Sequence, residues 1–83
     1  MDEKYKVLVR NIDLTNVRSM LDYFRLLKLY IPSDELIHGV LKVSYSAYYK
    51  FNASYKKGIL LEGKVLKRLY KLYTYTLSGV YHE

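Results

Sequence analysis

The side chains of this sequence best suited to chemistry are cations interleaved with tyrosines in its second half. Residues 45–77 carry seven lysines and arginines against one acid, Glu62, so most of the formal charge of +6 lies there. A surface of this kind attracts polyanions, nucleic acid first and anionic membranes second. The simpler interpretation is a charged surface that only keeps the protein soluble.

Catalysis and metal binding have no comparable signal. The chain has no cysteine, which excludes disulfides and thiolate metal sites and fits a reducing compartment. It contains no Gly-rich phosphate loop, HExxH motif or nucleophile elbow. Glu35 and His38 are three residues apart, but a metal would need further ligands, and we interpret them as a surface pair. We therefore expect no enzymatic activity, no cofactor and no metal.

Length and hydropathy predict one soluble domain over residues 1–83. The chain is 51% hydrophobic and 16% aromatic, which is sufficient for one compact core and argues against disorder. No apolar run approaches the ~20 residues of a membrane span. The N-terminal MDEKYK does not resemble a signal peptide. We expect a cytoplasmic protein with no membrane partner.

The first half supplies the elements that would support the basic region. Residues 5–10 alternate in polarity and predict a strand, with the start of a helix as the alternative. An amphipathic helix is predicted over residues 15–30, with Asp13 or Thr15 as its N-cap. Pro32 ends that helix, and a short second helix is predicted over residues 34–41.

A third helix is predicted over residues 44–57. Ser44 can cap its start, and Gly58 can take the left-handed conformation that ends it. Its apolar face carries Ala47, Phe51 and Tyr55. After Gly58 the period changes to two, so residues 59–61 and 69–77 are predicted as strands around a basic turn.

The segment YKKGILLEGKVLKRLYKLYTYTLSG resembles the winged-helix regulators of the MarR, ArsR and PadR type over about half the chain. In those proteins a recognition helix ends at a glycine and is followed by a strand, a basic tip and an aromatic return strand. The small size and Tyr-Lys-Ile-Leu bias also resemble compact DNA-binding proteins of archaeal viruses and plasmids. The resemblance implies an α+β winged helix-turn-helix fold of three helices and a two-stranded wing.

The same resemblance implies a sequence-specific, double-stranded DNA-binding transcriptional regulator that acts as a homodimer. Helix 44–57 would enter the major groove, and the wing, residues 62–71, would lie on the minor groove or backbone. No effector pocket for a small molecule is evident. The predicted DNA-binding residues are Ser44, Ser46, Tyr49, Lys50, Ala53, Lys56, Lys57, Lys64, Lys67, Arg68 and Lys71.

Two other functions compete with this prediction. The opening KYKVLV and the run LYKLYTYTLSGVY resemble small ribonuclease toxins of the RelE and ParE type, although few residues remain for their later strands. A protein–protein adaptor that docks through the first predicted helix is the third possibility.

Overall fold

The structure, a computed structural model, describes the backbone of residues 1–81 and the side chains of residues 1–78. Its elements are α1 (Glu3–Arg10), α2 (Met20–Tyr30), α3 (Ser33–Glu35) with a π-helical continuation (Leu36–Leu41), α4 (Tyr45–Lys56) and α5 (Lys64–Tyr81). No strand occurs in the described residues. The predicted α+β winged helix-turn-helix with a two-stranded wing is therefore wrong, and this part of the chain is a small helical fold.

Residues 5–10, predicted as a strand, belong to α1 instead. Tyr5 and Val9 are buried one helical turn apart, whereas Val7 is 57% exposed. A strand would have placed these three side chains on one face. The sequence YKVLVR is compatible with a strand and with a helix. Only the helix buries Tyr5 and Val9 while it leaves Val7 exposed.

The predicted wing is also absent, because residues 69–77 form part of α5 and residues 59–61 have no regular structure. Val65, Leu69, Leu72 and Thr76 are buried at spacings of four, three and four, which is a helical period. The tyrosines and threonines of this run favour strands only weakly, and packing of the helical face overrides that preference.

The first two predicted helices are confirmed with changed starts. The first begins at Met20 rather than near residue 15, and Ser19 caps it by accepting a hydrogen bond from the Asp22 amide. Asp13 instead accepts the Thr15 amide at 2.9 Å in a local turn. The second helix begins at Ser33 and winds as a π-helix from Leu36.

Gly39 of this π-helical segment lies against the ring of Tyr5 from α1. A Cβ built at Gly39 would stand 2.9 Å from Cε2 of Tyr5, too short for a non-bonded contact, so the ring or the backbone would have to shift. The absence of a side chain at Gly39 therefore makes room for the buried Tyr5 ring.

The predicted third helix is confirmed as α4. Phe24 of α2 packs edge-on against Phe51 and Tyr55, at centroid distances of 5.1 and 4.9 Å. Gly58 follows the helix with φ +78°, the left-handed conformation expected there. This aromatic contact fixes which face of α4 points inward and which faces solvent.

The long helix α5 is joined to α2 by a buried polar contact. Tyr23 and Thr76 are both fully buried, and their hydroxyl oxygens lie 2.7 Å apart. Thr76 donates to the carbonyl of Leu72 at 3.1 Å, so its oxygen accepts from Tyr23. Tyr73 packs edge-on against the Tyr23 ring at 5.1 Å. Together these contacts set the rotation of α5.

Candidate nucleic-acid interface

The outer face of α4 is hydrophilic and open to solvent. Ser44 caps the start of the helix, and its hydroxyl accepts a hydrogen bond from the Ala47 amide at 3.2 Å. Because Tyr48 and Phe51 are buried, the residues opposite them point outward. The exposed residues of this face and of the turn after it are Ser46, Tyr49, Lys50, Ala53, Lys56 and Lys57.

The first half of α5 presents a second cationic face. Lys64, Lys67, Arg68 and Lys71 are all exposed, and their spacing of three, one and three residues puts them on one side of the helix. This side faces solvent because Val65, Leu69 and Leu72 are buried on the other side of the helix. Four charges therefore lie along a stretch of roughly 10 Å, at 1.5 Å per helical residue.

The two cationic faces meet at a cavity between α4 and the start of α5. Ser46 and Lys50 line it from α4, and Lys64 lines it from α5. Residues 59–63 lead the chain back from the end of α4 to this point. Of the predicted cations, Lys50 of helix 44–57 and Lys64 of residues 62–71 are thus brought to one cavity, by two helices rather than by a helix and a wing. The other five line no part of it.

The charge of this surface is not compensated within the described residues. Residues outside 45–77 carry seven cations and seven acids, so the whole formal charge of +6 belongs to residues 45–77. In the described chain none of the seven cations of that segment is in an ion pair. Lys4 and Lys6, by contrast, pair with Glu35 and Glu3 at 3.8 and 3.6 Å.

One further cation, Lys28 of α2, contacts the inner side of α4. Lys28 of α2 donates to Oδ1 of Asn52 at 2.6 Å, and its ammonium lies over the Tyr55 ring, 5.0 Å from the centroid. Burial lowers the pKa of Lys28, and the nearby positive charge of Lys56 lowers it further. Lys28 therefore orients α4, while Lys56 remains at the surface.

Exposed aromatic rings border the α4 face. Tyr45 and Tyr49 stack nearly parallel, 7° apart with centroids separated by 6.0 Å, and His38 meets Tyr45 edge-on at 4.7 Å. Tyr45 also donates to Asp34 at 3.1 Å, and this hydrogen bond raises the pKa of Tyr45. The sequence prediction omitted Tyr45, although its position four residues before Tyr49 places both on one helical face.

The predicted site residues therefore have different surroundings. Ser44 lies at the edge of the α4 face, with its hydroxyl engaged in capping, and the other ten are exposed on α4, on α5 or in the turn after α4. Glu35 and His38 contact Lys4 and Tyr45 rather than each other. Across the described residues, no group of three or more His, Cys, Asp or Glu side chains can hold a metal ion.

Comparison with family models, with curated proteins and with solved structures finds no match for this chain. Within residues 1–81, none of the helices combines the length and the apolar character needed to cross a membrane.

Proposed function

We propose that this protein binds double-stranded DNA through the outer faces of α4 and the first half of α5. The observation that carries the proposal is the concentration of the entire net charge on these two faces. All seven cations there are exposed, and in the described chain none is paired with an acid. Unpaired cations on a folded surface supply the electrostatic part of DNA affinity by displacing counterions from phosphates.

In this proposal α4 enters the major groove. The helix follows a helical segment after a three-residue turn, in which Lys42 takes the left-handed conformation with φ +55°, and such an arrangement is typical of DNA-reading helices. Ser46 and Lys50 can bond base edges, and Ala53 can contact a thymine methyl group. Lys56 and Lys57 would bind phosphates at the helix end.

The cations of α5 would hold the DNA backbone beside that groove. Lys64 lines the cavity next to Lys50, so phosphate contacts from α5 can continue directly from the base contacts of α4. Arg68 is the residue on this face that can bind a phosphate with two parallel hydrogen bonds. Contacts of this kind fix position and orientation but do not read sequence.

The proposed role is a non-enzymatic transcriptional regulator of the cytoplasm that acts as a two-fold dimer on paired half-sites. Exposed apolar side chains of α1 and α2 are available for dimerisation: Val7 is 57% exposed and Leu29 is 71% exposed. The alternative of a ribonuclease toxin is less well supported, because its resemblance rests partly on a strand at residues 5–10, which are helical.

Fluorescence anisotropy of a labelled duplex of about 30 base pairs tests the proposal at roughly 50 mM salt. We expect wild-type protein to bind, and both Lys50→Ala and Arg68→Ala to weaken binding several-fold. Arg18→Ala is the matched control, because it removes the same unit charge from an exposed residue that lies on neither α4 nor α5.

Failure of the wild-type protein to bind at this salt concentration would overturn the proposal. Equal losses in all three variants would also contradict it, because they would show that only net charge matters. Preferential binding of a single-stranded probe would assign the same surface to a different nucleic acid.

A further inference from the structure

The cavity between α4 and the start of α5 has features that phosphate binding does not require. Its volume is about 230 Å³, below the roughly 300–1,000 Å³ of sites for drug-sized ligands. It can therefore accommodate a small organic molecule of one or two rings, or a short chain. DNA bound across the surface would cover the opening of the cavity but would not enter it.

The inner wall of this cavity is apolar. Phe51 and Val65, exposed to only 1% and 3%, line it together with Ala47 and Leu61. Leu61 is 41% exposed at the end of the apolar run of residues 59–61. An apolar body placed here would bury Leu61 and displace water from the walls, which is the favourable part of binding such a group.

The polar wall of the cavity is cationic. Lys50 and Lys64 line it from two different helices, and Ser46 adds a hydroxyl group. Glu62 also lines the cavity, but among the described residues it forms no ion pair with either lysine. Two ammonium groups against one carboxylate leave a net positive charge beside an apolar wall.

We propose that this cavity binds a small organic anion with an apolar body, whose negative group lies between Lys50 and Lys64. Small-molecule sites combine apolar walls with a few polar groups that fix orientation, and this cavity has an apolar wall and two lysines beside it. The ligand would occupy the lysines that face DNA, so it would release DNA from the protein. This release rests on the proposed function, whereas binding of the anion does not.

The test uses 2-naphthoate as the anionic probe and 2-naphthamide as its neutral counterpart of the same shape. Both are titrated into isotopically labelled protein and followed by amide chemical shifts in two-dimensional NMR spectra. We expect 2-naphthoate to bind with a dissociation constant on the order of 1 mM. The largest shifts should fall on residues 46–51 and 61–65, and 2-naphthamide should bind about fivefold more weakly.

Four variants separate the contributions of charge and shape. Lys50→Ala and Lys64→Ala should each weaken 2-naphthoate about threefold to fivefold and leave 2-naphthamide nearly unchanged. Glu62→Gln should strengthen 2-naphthoate by about twofold to threefold. Ala47→Leu fills the cavity without touching the backbone amide that Ser44 caps, so it should weaken both probes. The same spectra report whether each variant is folded.

Equal affinity for the two probes, or shifts that lie outside the cavity, would overturn the proposal. A folded Ala47→Leu variant that binds both probes as well as the wild type would do so too. The DNA measurement is separate: saturating 2-naphthoate should weaken duplex binding. Anion binding at the cavity in a protein that does not bind DNA would refute the proposed function and leave this site standing.

Discussion

The hydrogen bond between Tyr23 and Thr76 predicts an asymmetric response to removal of its two partners. Thr76→Val keeps the side-chain shape but leaves the Tyr23 hydroxyl without a partner in a site where both residues are fully buried. Such a group costs about 1–3 kcal/mol of folding free energy. In Tyr23→Phe, the Thr76 hydroxyl keeps its bond to the Leu72 carbonyl, and the expected cost is about 0.5–1.5 kcal/mol.

Urea unfolding followed by circular dichroism measures this difference. With a slope of about 1 kcal/mol per molar urea, Thr76→Val should lower the midpoint by about 1–3 M and Tyr23→Phe by about 0.5–1.5 M. The double variant should be close to Thr76→Val or more stable than it, because no hydroxyl is then left unpaired. Tyr49→Phe is the control, since Tyr49 is 52% exposed.

The reasoning would be refuted if Tyr23→Phe destabilised the protein more than Thr76→Val. It would also be refuted if both changes stayed within the small effect of the Tyr49→Phe control, because α5 would then not be held to α2 by this contact.

Three further perturbations have defined outcomes. Gly39→Ala should lower the free energy of unfolding by about 1–3 kcal/mol, because its Cβ would meet the Tyr5 ring at 2.9 Å; Tyr5→Leu should relieve part of this cost in a urea double-mutant cycle. Gly58→Ala should cost about 1–2 kcal/mol from its φ of +78° alone, since nothing lies within 4 Å, and Gly58→Asn should cost less in the same assay. Burial raises the pKa of Tyr23 to about 12. Between pH 10 and 12 the unfolded chain loses the Tyr23 proton while the folded protein keeps it, so the stabilisation by Tyr23 is complete below pH 10 and is lost across this interval. In Tyr23→Phe the urea midpoint should therefore fall less between pH 10 and 12 than it does in the wild type.

The helices with strong local signals were predicted correctly from the sequence. Helix α4 has a capping serine, an apolar face at helical spacing and a glycine just after its end, and each of these features is present in the structure. The solvent-exposed face of α4 was also predicted correctly, because Phe51 was placed on the apolar face and the residues on the opposite side of the helix are exposed. Local signals were sufficient here because they all indicated the same element.

The predictions failed where local preference and packing disagree. Thr76 favours a strand by its type, yet it is fully buried on the inner face of α5 and donates a hydrogen bond to that helix's own backbone. A strand would also have put Lys71 on the same face as Leu69, which is buried. The residues therefore carried a helical period, which the resemblance to a winged helix obscured.

The candidate site was predicted as a set of residues but not as an arrangement. The cations of residues 64–71 were expected on a two-stranded wing and instead lie on the helix α5. The cavity next to Lys50 and Lys64 depends on the path of residues 59–63, of which residues 59–61 were predicted as a strand and have no regular structure. Tertiary contacts between distant segments were needed to define both features.

The salt dependence of DNA binding tests the central claim most directly. Association of wild-type protein with the duplex is measured from about 50 to 200 mM salt, beside the double variant Lys64→Ala/Arg68→Ala and the control Arg18→Ala. If about six cations contact phosphates, the log–log slope should be near −5 for the wild type and nearer to about −3 for the double variant. The control should keep the wild-type slope. Equal slopes for the wild type and the double variant, or no binding at the lowest salt concentration, would contradict a DNA-binding role for these faces of α4 and α5.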